Sequence, residues 1–295
     1  EWTINTVRRF LTLLITFLSL TFVLSPAANA ATIVVISEPT HRLSDGVFFD
    51  DLLAQKLALN GELGSLIYYR GSGVKIWQVD PATISEISAM SNGYGVQDGA
   101  VASGQIIATQ WLEQFKKVTK FERVLSLPYG NPSGYWIDQI SKDNSSYFKA
   151  VSEITLGSIL GKATDGITPY SSEQQSISKT TVNVFKYAQR QINLLTSLVD
   201  QKDLVAEQLR LMQLLNPDIE AKKLSALVAD FDQSITKMRS KLQIKSTKFT
   251  VTSENEELPI TIVNDFDSNV KLKLSTRAIN SKVEVAPVEI IELAP

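Results

Sequence analysis

The spacing of apolar and polar residues changes twice along the chain. From residue 31 to about 165, short β-branched runs alternate with segments of helical spacing. Between 166 and about 243, apolar residues recur every three or four positions, and from 248 to 295 they recur every second position. These patterns predict an α/β region, then an α-helical segment, then a partial all-β module.

In the α/β region, strands are predicted at residues 32–37, 74–79 and 123–127, and helices at 49–59, 82–90 and 106–118. Pro39, Pro81 and Pro128 follow the strands closely, and Asn60-Gly61 is a typical helix end. Strands that alternate with helices form βαβ units, so we expect a parallel sheet.

The helical segment contains two narrow apolar seams with spacings of three and four residues. We expect two or three antiparallel helices that pack on each other or on the α/β region, and the alternative is a coiled coil that binds a partner. Asn216-Pro217-Asp218 is typical of a helix start. The seams are Phe185, Ala188, Ile192, Leu195 and Val199, and Val228, Phe231, Ile235, Met238 and Leu242.

Alternating residues in the β module predict four or five antiparallel strands in about 48 residues. A full immunoglobulin-like sandwich takes roughly 100 residues and seven strands. We therefore expect either that the chain is cut short at Pro295 or that the sheet borrows an edge from elsewhere. The alternating sets are Phe249 and Val251; Leu258, Ile260 and Ile262; Val270, Leu272 and Leu274; and Val283 and Val285.

Residues 1–30 have the three-part layout of a secretory signal peptide. Arg8-Arg9 precede an uncharged run from Phe10 to Leu24, and Ala28-Asn29-Ala30 forms a small-residue cleavage site. At about 1.5 Å per residue, roughly 15 residues span only about 22 Å of a ~30 Å bilayer core. The alternative is an uncleaved membrane anchor. We predict export and cleavage after Ala30, with no membrane span in the mature chain, and Glu1 in place of methionine indicates an incomplete or trimmed frame.

Composition excludes several classes of function. The chain of 295 residues has a net charge of −2, so it lacks the broad basic field of a nucleic-acid binder. It has no cysteine and a single histidine, His41, which excludes disulfides, thiolate metal sites and cysteine nucleophiles. We expect no metal and no cofactor.

Four stretches, in this order, resemble an uncharacterised family of exported actinobacterial envelope proteins that are often encoded beside the lipid II flippase. These stretches, which span most of the chain after residue 30, are Pro39–Asp51, Trp77–Pro81, Leu125–Pro132 and Leu258–Val270.

The resemblance implies an architecture and a location, not a reaction. The central part of that family is similar to the β/α barrel of glycoside hydrolases and deacetylases, and its end to an immunoglobulin-like module. We therefore expect an incomplete barrel-like domain and an immunoglobulin-like sheet at the extracellular face of the cell envelope. The family pattern implies an aspartate where this chain has Asn131, and an amide cannot act as a general base or as a carboxylate ligand.

Two carboxylates follow predicted strands, at the sheet edge where α/β proteins place functional residues. Glu38 and Asp80 would form the catalytic pair of a glycosidase if their strands are neighbours. The alternatives are that Asp80 caps the helix that begins at Pro81 and that Glu38 is a solvated loop residue. His41 is predicted to be a hydrogen-bonding loop residue, because one histidine cannot assemble the metal site of a deacetylase.

Aromatic side chains near these strand ends form a second candidate site. An exposed group of them would give a platform for sugar rings, and the alternative is ordinary packing in the core or at its rim. The candidate ligand-binding residues are Trp77, Tyr129, Asn131, Tyr135 and Trp136.

Together these observations favour an exported envelope protein with a non-catalytic binding or scaffolding role. The expected partner is an envelope protein or polysaccharide. The alternative is a carbohydrate-active hydrolase that uses Glu38 and Asp80.

Overall fold

A four-stranded parallel sheet forms the first part of the fold. The computed structural model of the protein describes residues 31–140, 145–167, 177–245, 257, 259–275 and 284–295. The strand order is β1-β2-β3-β4, so each strand lies beside the one before it in the chain. The strands are β1 (Thr32–Ile36), β2 (Lys75–Val79), β3 (Arg123–Ser126) and β4 (Asp165–Gly166). The predicted parallel sheet is confirmed, and β4 is a short addition to it.

Three of the helices between these strands follow the predicted spacing, and three are additions to the prediction. The predicted helices at 49–59, 82–90 and 106–118 are present, whereas those at Glu62–Tyr68, Gly134–Ile140 and Ser145–Leu160 were not predicted. The prediction ends the first helix at Asn60-Gly61, and the structure begins another helix directly after it. The helices of this region are α1 (Leu52–Leu57), α2 (Glu62–Tyr68), α3 (Pro81–Ser91), α4 (Gln105–Thr119), α5 (Gly134–Ile140) and α6 (Ser145–Leu160).

One face of the sheet is buried against these helices. Val34 lies beside Trp77, and Ile36 lies beside Val79, in the pairing of β1 with β2. Trp77 is fully buried, and its ring meets the Phe115 ring of α4 edge-on at 5.6 Å. The interpretation of Trp77 as part of an exposed sugar platform is therefore wrong, because helix α4 covers this face of the sheet.

The helical segment contains α7 (Lys179–Leu195), α8 (Val205–Gln213) and α9 (Ala221–Ser240). Both predicted seams pack into one core, in which Phe185 and Phe231 are each 1% exposed. The same core includes Phe148 of α6, so the helical segment and the α/β region share it. Ordinary core packing therefore accounts for the seams.

The start of α9 differs from the prediction. The side-chain oxygen of Asn216 accepts a hydrogen bond from the amide of Asp218 at 2.9 Å, which forms a local turn rather than a helix cap. Helix α9 begins only at Ala221, two residues after Ile219, whose side chain is buried in the core. Leu242, predicted as the end of this helix, belongs instead to a strand.

The β module consists of two antiparallel strand pairs within the described residues. β5 (Leu242–Lys245) pairs with β6 (Thr261–Asn264), and β7 (Val270–Lys273) pairs with β8 (Ile290–Leu293). Val285 lies outside these strands. The predictions at Phe249, Val251, Leu258 and Val283 fall outside the described residues. An immunoglobulin-like sandwich stays a prediction.

The predicted signal peptide, residues 1–30, also lies outside the described residues. Where the structure does describe the chain, none of its helices has the length and apolar character that a membrane crossing requires. Cleavage after Ala30 stays a prediction.

Candidate functional site

The carboxyl ends of β1, β2 and β3 lie side by side, and polar residues follow each of them. Because β1 and β2 are neighbours, Glu38 and Asp80 are brought to the same edge of the sheet, as the hydrolase hypothesis requires. Thr83 of α3 joins them: its hydroxyl accepts from the Glu38 amide at 2.8 Å and lies 3.1 Å from Asp80 Oδ2. The two strand ends are therefore linked through a helix side chain.

Asp80 is a helix cap, which confirms that alternative. Its Oδ1 accepts hydrogen bonds from the amide of Ala82 at 2.9 Å and from the amide of Gly130 at 2.8 Å. The first bond caps α3, and the second holds the turn that follows β3. Asp80 has no exposed surface, and this burial raises its pKa to about 7.

Glu38 takes part in a buried ionic cluster rather than in a solvated loop. Lys56 of α1 donates to both Glu38 carboxylate oxygens, at 2.6 and 2.7 Å, and His41 Nε2 lies 3.2 Å from one of them. Burial alone would raise the pKa of Glu38, but the hydrogen bonds from His41 and Lys56 outweigh it and lower the pKa. The carboxylate is thus held in its charged form by internal donors.

His41 lies between two carboxylates. Its Nδ1 is 2.8 Å from Asp50 and its Nε2 faces Glu38, while the ring itself is fully buried. Burial lowers the pKa of His41, but the hydrogen bond to Glu38 and the charge of Glu86 outweigh it, so the pKa is raised. The prediction that His41 is a hydrogen-bonding loop residue is confirmed.

The helical segment completes this cluster. Lys223 of α9 lies 3.4 Å from an oxygen of Asp50 and 3.3 Å from His41 Nδ1. Lys223 is 182 positions from His41 in the chain. Sequence reasoning missed it because a single lysine on an amphipathic helix is typical of a solvated face.

Glu86 is a second residue that sequence reasoning missed. Its carboxylate accepts from the Thr40 hydroxyl, from the His41 amide at 2.9 Å and from Gln213 at 3.4 Å. Burial raises its pKa. A usable signal was present, because Glu86 is the only charged residue in α3, and a lone charge in an apolar helix needs a buried partner.

A cleft of about 430 Å³ lies beside this polar cluster. Neither Glu38 nor Asp80 lines it. On one side it is bounded by the loop after β1 and by α3, and on the other by α8. Its lining includes Arg42, Ser85, Glu86, Tyr129, Leu209 and Gln213.

The other predicted aromatic residues are dispersed. Tyr129 lines the cleft, whereas Tyr135 and Trp136 form an edge-to-face pair on α5 with ring centroids 5.2 Å apart. Asn131, with φ of 46°, follows Gly130 in the turn after β3. With Trp77 in the core, the structure does not bring the candidates together as one platform, and Tyr129 alone lines this cleft.

Metal chemistry finds no support in this cluster. Both ring nitrogens of His41 face carboxylates. In the described ranges, no group of three or more histidine or acidic side chains is placed to hold a metal ion.

Comparisons with protein-family models, with curated proteins and with solved structures found no match. The resemblance to the exported actinobacterial family therefore stays a prediction.

Proposed function

We propose that this protein is an exported component of the cell envelope with a non-catalytic binding role, and that its ligand occupies the cleft lined by Tyr129. One observation carries the proposal: both candidate catalytic carboxylates are occupied by internal donors, and neither lines the cleft. A glycosidase needs two carboxyl groups on either side of a substrate bond. Asp80 and Glu38 instead stabilise the protein's own backbone and side chains.

The cleft is suited to ligand binding by its size and lining. About 430 Å³ falls within the ~300–1,000 Å³ typical of small-molecule sites. Tyr129 and Leu209 supply apolar surface, and Ser85 and Gln213 supply polar groups. A polar envelope ligand such as a saccharide matches this mixture of surfaces.

The family and the finer fold belong to the same proposal. The sequential order β1-β2-β3-β4 has parallel neighbours throughout, which is the order along part of a β/α barrel, whereas a dinucleotide-binding sheet reverses its order at a switch point. This order supports the barrel-like interpretation. The alternation in residues 248–295 supports the immunoglobulin-like one, and the layout of residues 1–30 supports export to the extracellular face.

The test uses protein recovered from the envelope fraction, whose first residue should be Ala31. Wild type and Asp80→Asn are incubated with purified cell-wall polysaccharide. Co-sedimentation reports binding, and released reducing ends report hydrolysis. We expect both proteins to bind without releasing reducing ends. Hydrolysis by the wild type that Asp80→Asn abolishes would overturn the proposal and establish the hydrolase alternative.

A further inference from the structure

Arg42 lines the cleft with its guanidinium group. Its Nε donates to the carbonyl of Gly46 at 3.2 Å, and its two Nη atoms have no hydrogen-bond partner in the described part of the chain. Arg42, Arg70 and Arg210 are the arginines that this part leaves half-buried. Arg70 and Arg210 are paired with carboxylates, whereas Arg42 forms no ion pair there.

A half-buried guanidinium without an ion pair has lost water while its Nη donors stay unpaired, although the charge of Glu86 acts on it from beyond ion-pair distance. Paired Nη donors match the two oxygens of a carboxylate or a phosphate. Among the other cations that line the cleft, Arg210 is neutralised by Glu207 and Asp230, and Lys202 lies near Asp200. Among the described cations that line the cleft, Arg42 is therefore the donor that is left for an anionic ligand.

Whereas Arg42 offers hydrogen-bond donors, the hydroxyl groups of the cleft offer acceptors. Ser44, Ser85 and Thr155 line it, and each donates its hydroxyl proton to a carboxylate or a backbone carbonyl of the protein. Each hydroxyl has two acceptor lone pairs. These side chains are therefore available to a ligand mainly as acceptors, and the groups that suit them are ligand O–H or N–H donors.

We propose that the cleft binds an acidic saccharide unit, with its oxyanion on the Nη atoms of Arg42 and its hydroxyl groups on Ser44, Ser85 and Thr155. The inference rests on the proposed binding function and specifies the ligand. A sugar acid or a sugar phosphate combines an oxyanion acceptor with several hydroxyl donors, which is the complement of this lining. The Tyr129 ring and Leu209 are available to the C–H faces of the sugar.

Glu86 also lines the cleft, and a negative charge on its carboxylate would repel a bound anion. Three donors already engage its carboxylate: the Thr40 hydroxyl, the His41 amide and the Gln213 amide. Burial raises the pKa of Glu86, while these donors and the charges of His41 and Arg42 oppose that shift. The carboxylate oxygens of Glu86 are thus already engaged by donors of the protein itself.

The first test compares ligands on the wild-type protein by calorimetric titration. The probes are a galacturonic acid oligomer, a neutral glucose oligomer of equal length and glucose 1-phosphate. We expect at least tenfold tighter binding of a charged probe than of the neutral one, and weakening of that binding by added salt. The two charged probes distinguish a carboxylate from a phosphate. Equal affinity for charged and neutral probes would overturn the inference.

The second test removes the guanidinium. Arg42→Gln should weaken binding of the charged probe about ten- to a hundredfold, because charge-assisted hydrogen bonds are lost. Arg42→Lys should be intermediate, because it keeps the charge without the paired donors. The matched control is Arg190→Gln. Arg190 also donates Nε to a backbone carbonyl and forms no ion pair with any described residue, but it is exposed on α7.

The variants also separate this inference from the proposed function. If Arg42→Gln and Arg190→Gln bind the charged probe equally well, the anion site is refuted, while binding of the neutral oligomer would still support a saccharide cleft. If no probe binds, the inference fails, and co-sedimentation with whole cell wall decides the proposed function. Circular dichroism checks that each variant is folded. If Arg42→Gln does not fold, the charged-to-neutral affinity ratio of the wild type and its salt dependence decide.

Discussion

At the scale of single residues, the hydrogen bonds around Asp80 indicate where a proton resides. The Thr83 hydroxyl accepts from the Glu38 amide, and its one proton has two acceptors within reach: Glu38 O at 3.2 Å and Asp80 Oδ2 at 3.1 Å. If Asp80 is ionised, one of these two acceptors receives no hydrogen bond from Thr83. If Asp80 is protonated, it donates to Thr83, and Thr83 donates to Glu38 O, so that all groups are paired.

This arrangement predicts a pH-dependent contribution to stability. Since the folded-state pKa of Asp80, about 7, lies above its ordinary value of 3.8, the folded protein binds the proton more tightly. The stabilisation is fully present below about pH 4 and is lost as the pH rises through 7. Asn at this position imitates the protonated acid. Relative to wild type, Asp80→Asn should therefore gain on the order of 2–4 kcal/mol between pH 4 and pH 8.

Urea denaturation of both proteins at several pH values measures this difference. Subtracting the two curves removes the contributions of Glu38 and His41, whereas Glu86 stays coupled because its charge raises the pKa of Asp80. Asp80→Ala is the control. It removes the cap, which costs about 1 kcal/mol, and leaves the Gly130 amide unpaired, which costs about 1–3 kcal/mol more. A constant difference between Asp80→Asn and wild type across this pH range would contradict the protonated arrangement.

At the scale of elements, Gly130 is where the turn after β3 meets the end of α8. Its φ is +78°, its amide donates to Asp80, and its carbonyl accepts from Asn216 at 2.8 Å. A Cβ atom at this position would lie 2.9 Å from the backbone Cα of Gln213. Only glycine allows this approach without displacing α8.

Gly130→Ala should therefore be more destabilising than its backbone conformation alone explains. The positive φ costs an alanine about 1–2 kcal/mol, and the contact with Gln213 adds to it. Gly161→Ala is the matched control, because Gly161 has φ of +68° and open space around its position. We expect the free energy of unfolding of Gly130→Ala to fall at least about 1 kcal/mol further than that of Gly161→Ala. If urea denaturation gives equal losses in the free energy of unfolding for both variants, α8 accommodates the added methyl group without cost, which would contradict this prediction.

At the scale of the whole molecule, one core joins the three regions. Phe148 from α6, Phe185 and Phe231 from the helical segment, and Phe266 and Val270 from the β module belong to it. The Lys241 ammonium lies 5.3 Å from the centre of the Phe266 ring, and the Lys271 amide donates to the Leu198 carbonyl at 3.3 Å. The turn between β6 and β7 is thus anchored on the helices.

The shared core predicts that the β module unfolds together with the helical segment. Phe266→Ala should lower the free energy of unfolding by about 3–5 kcal/mol in a single cooperative transition. Phe121→Ala, which removes a ring that is 91% exposed, should change it by less than about 0.5 kcal/mol. An early, separate transition of the β module in Phe266→Ala, seen by hydrogen exchange, would contradict one cooperative core.

The sequence by itself determined the features that depend on local spacing. Backbone geometry fixes how many residues separate side chains on the same face of a strand or a helix. For that reason the sequence predicts the strands at 32–37, 74–79 and 123–127 and the seams around Phe185 and Phe231. The cap at Asp80 was also predictable, because an aspartate before a proline satisfies the first amides of a helix at a fixed offset.

Only the tertiary structure decided which distant groups meet. Alternation in β2 shows that Trp77 faces one side of the sheet, but not that α4 covers that side. Lys223 reaches His41, and Gln213 reaches Glu86, because the helical segment packs against the strand ends. Such contacts depend on the packing of whole elements. The spacing of residues along the chain contains no information on which side chain a folded neighbour brings to a buried charge.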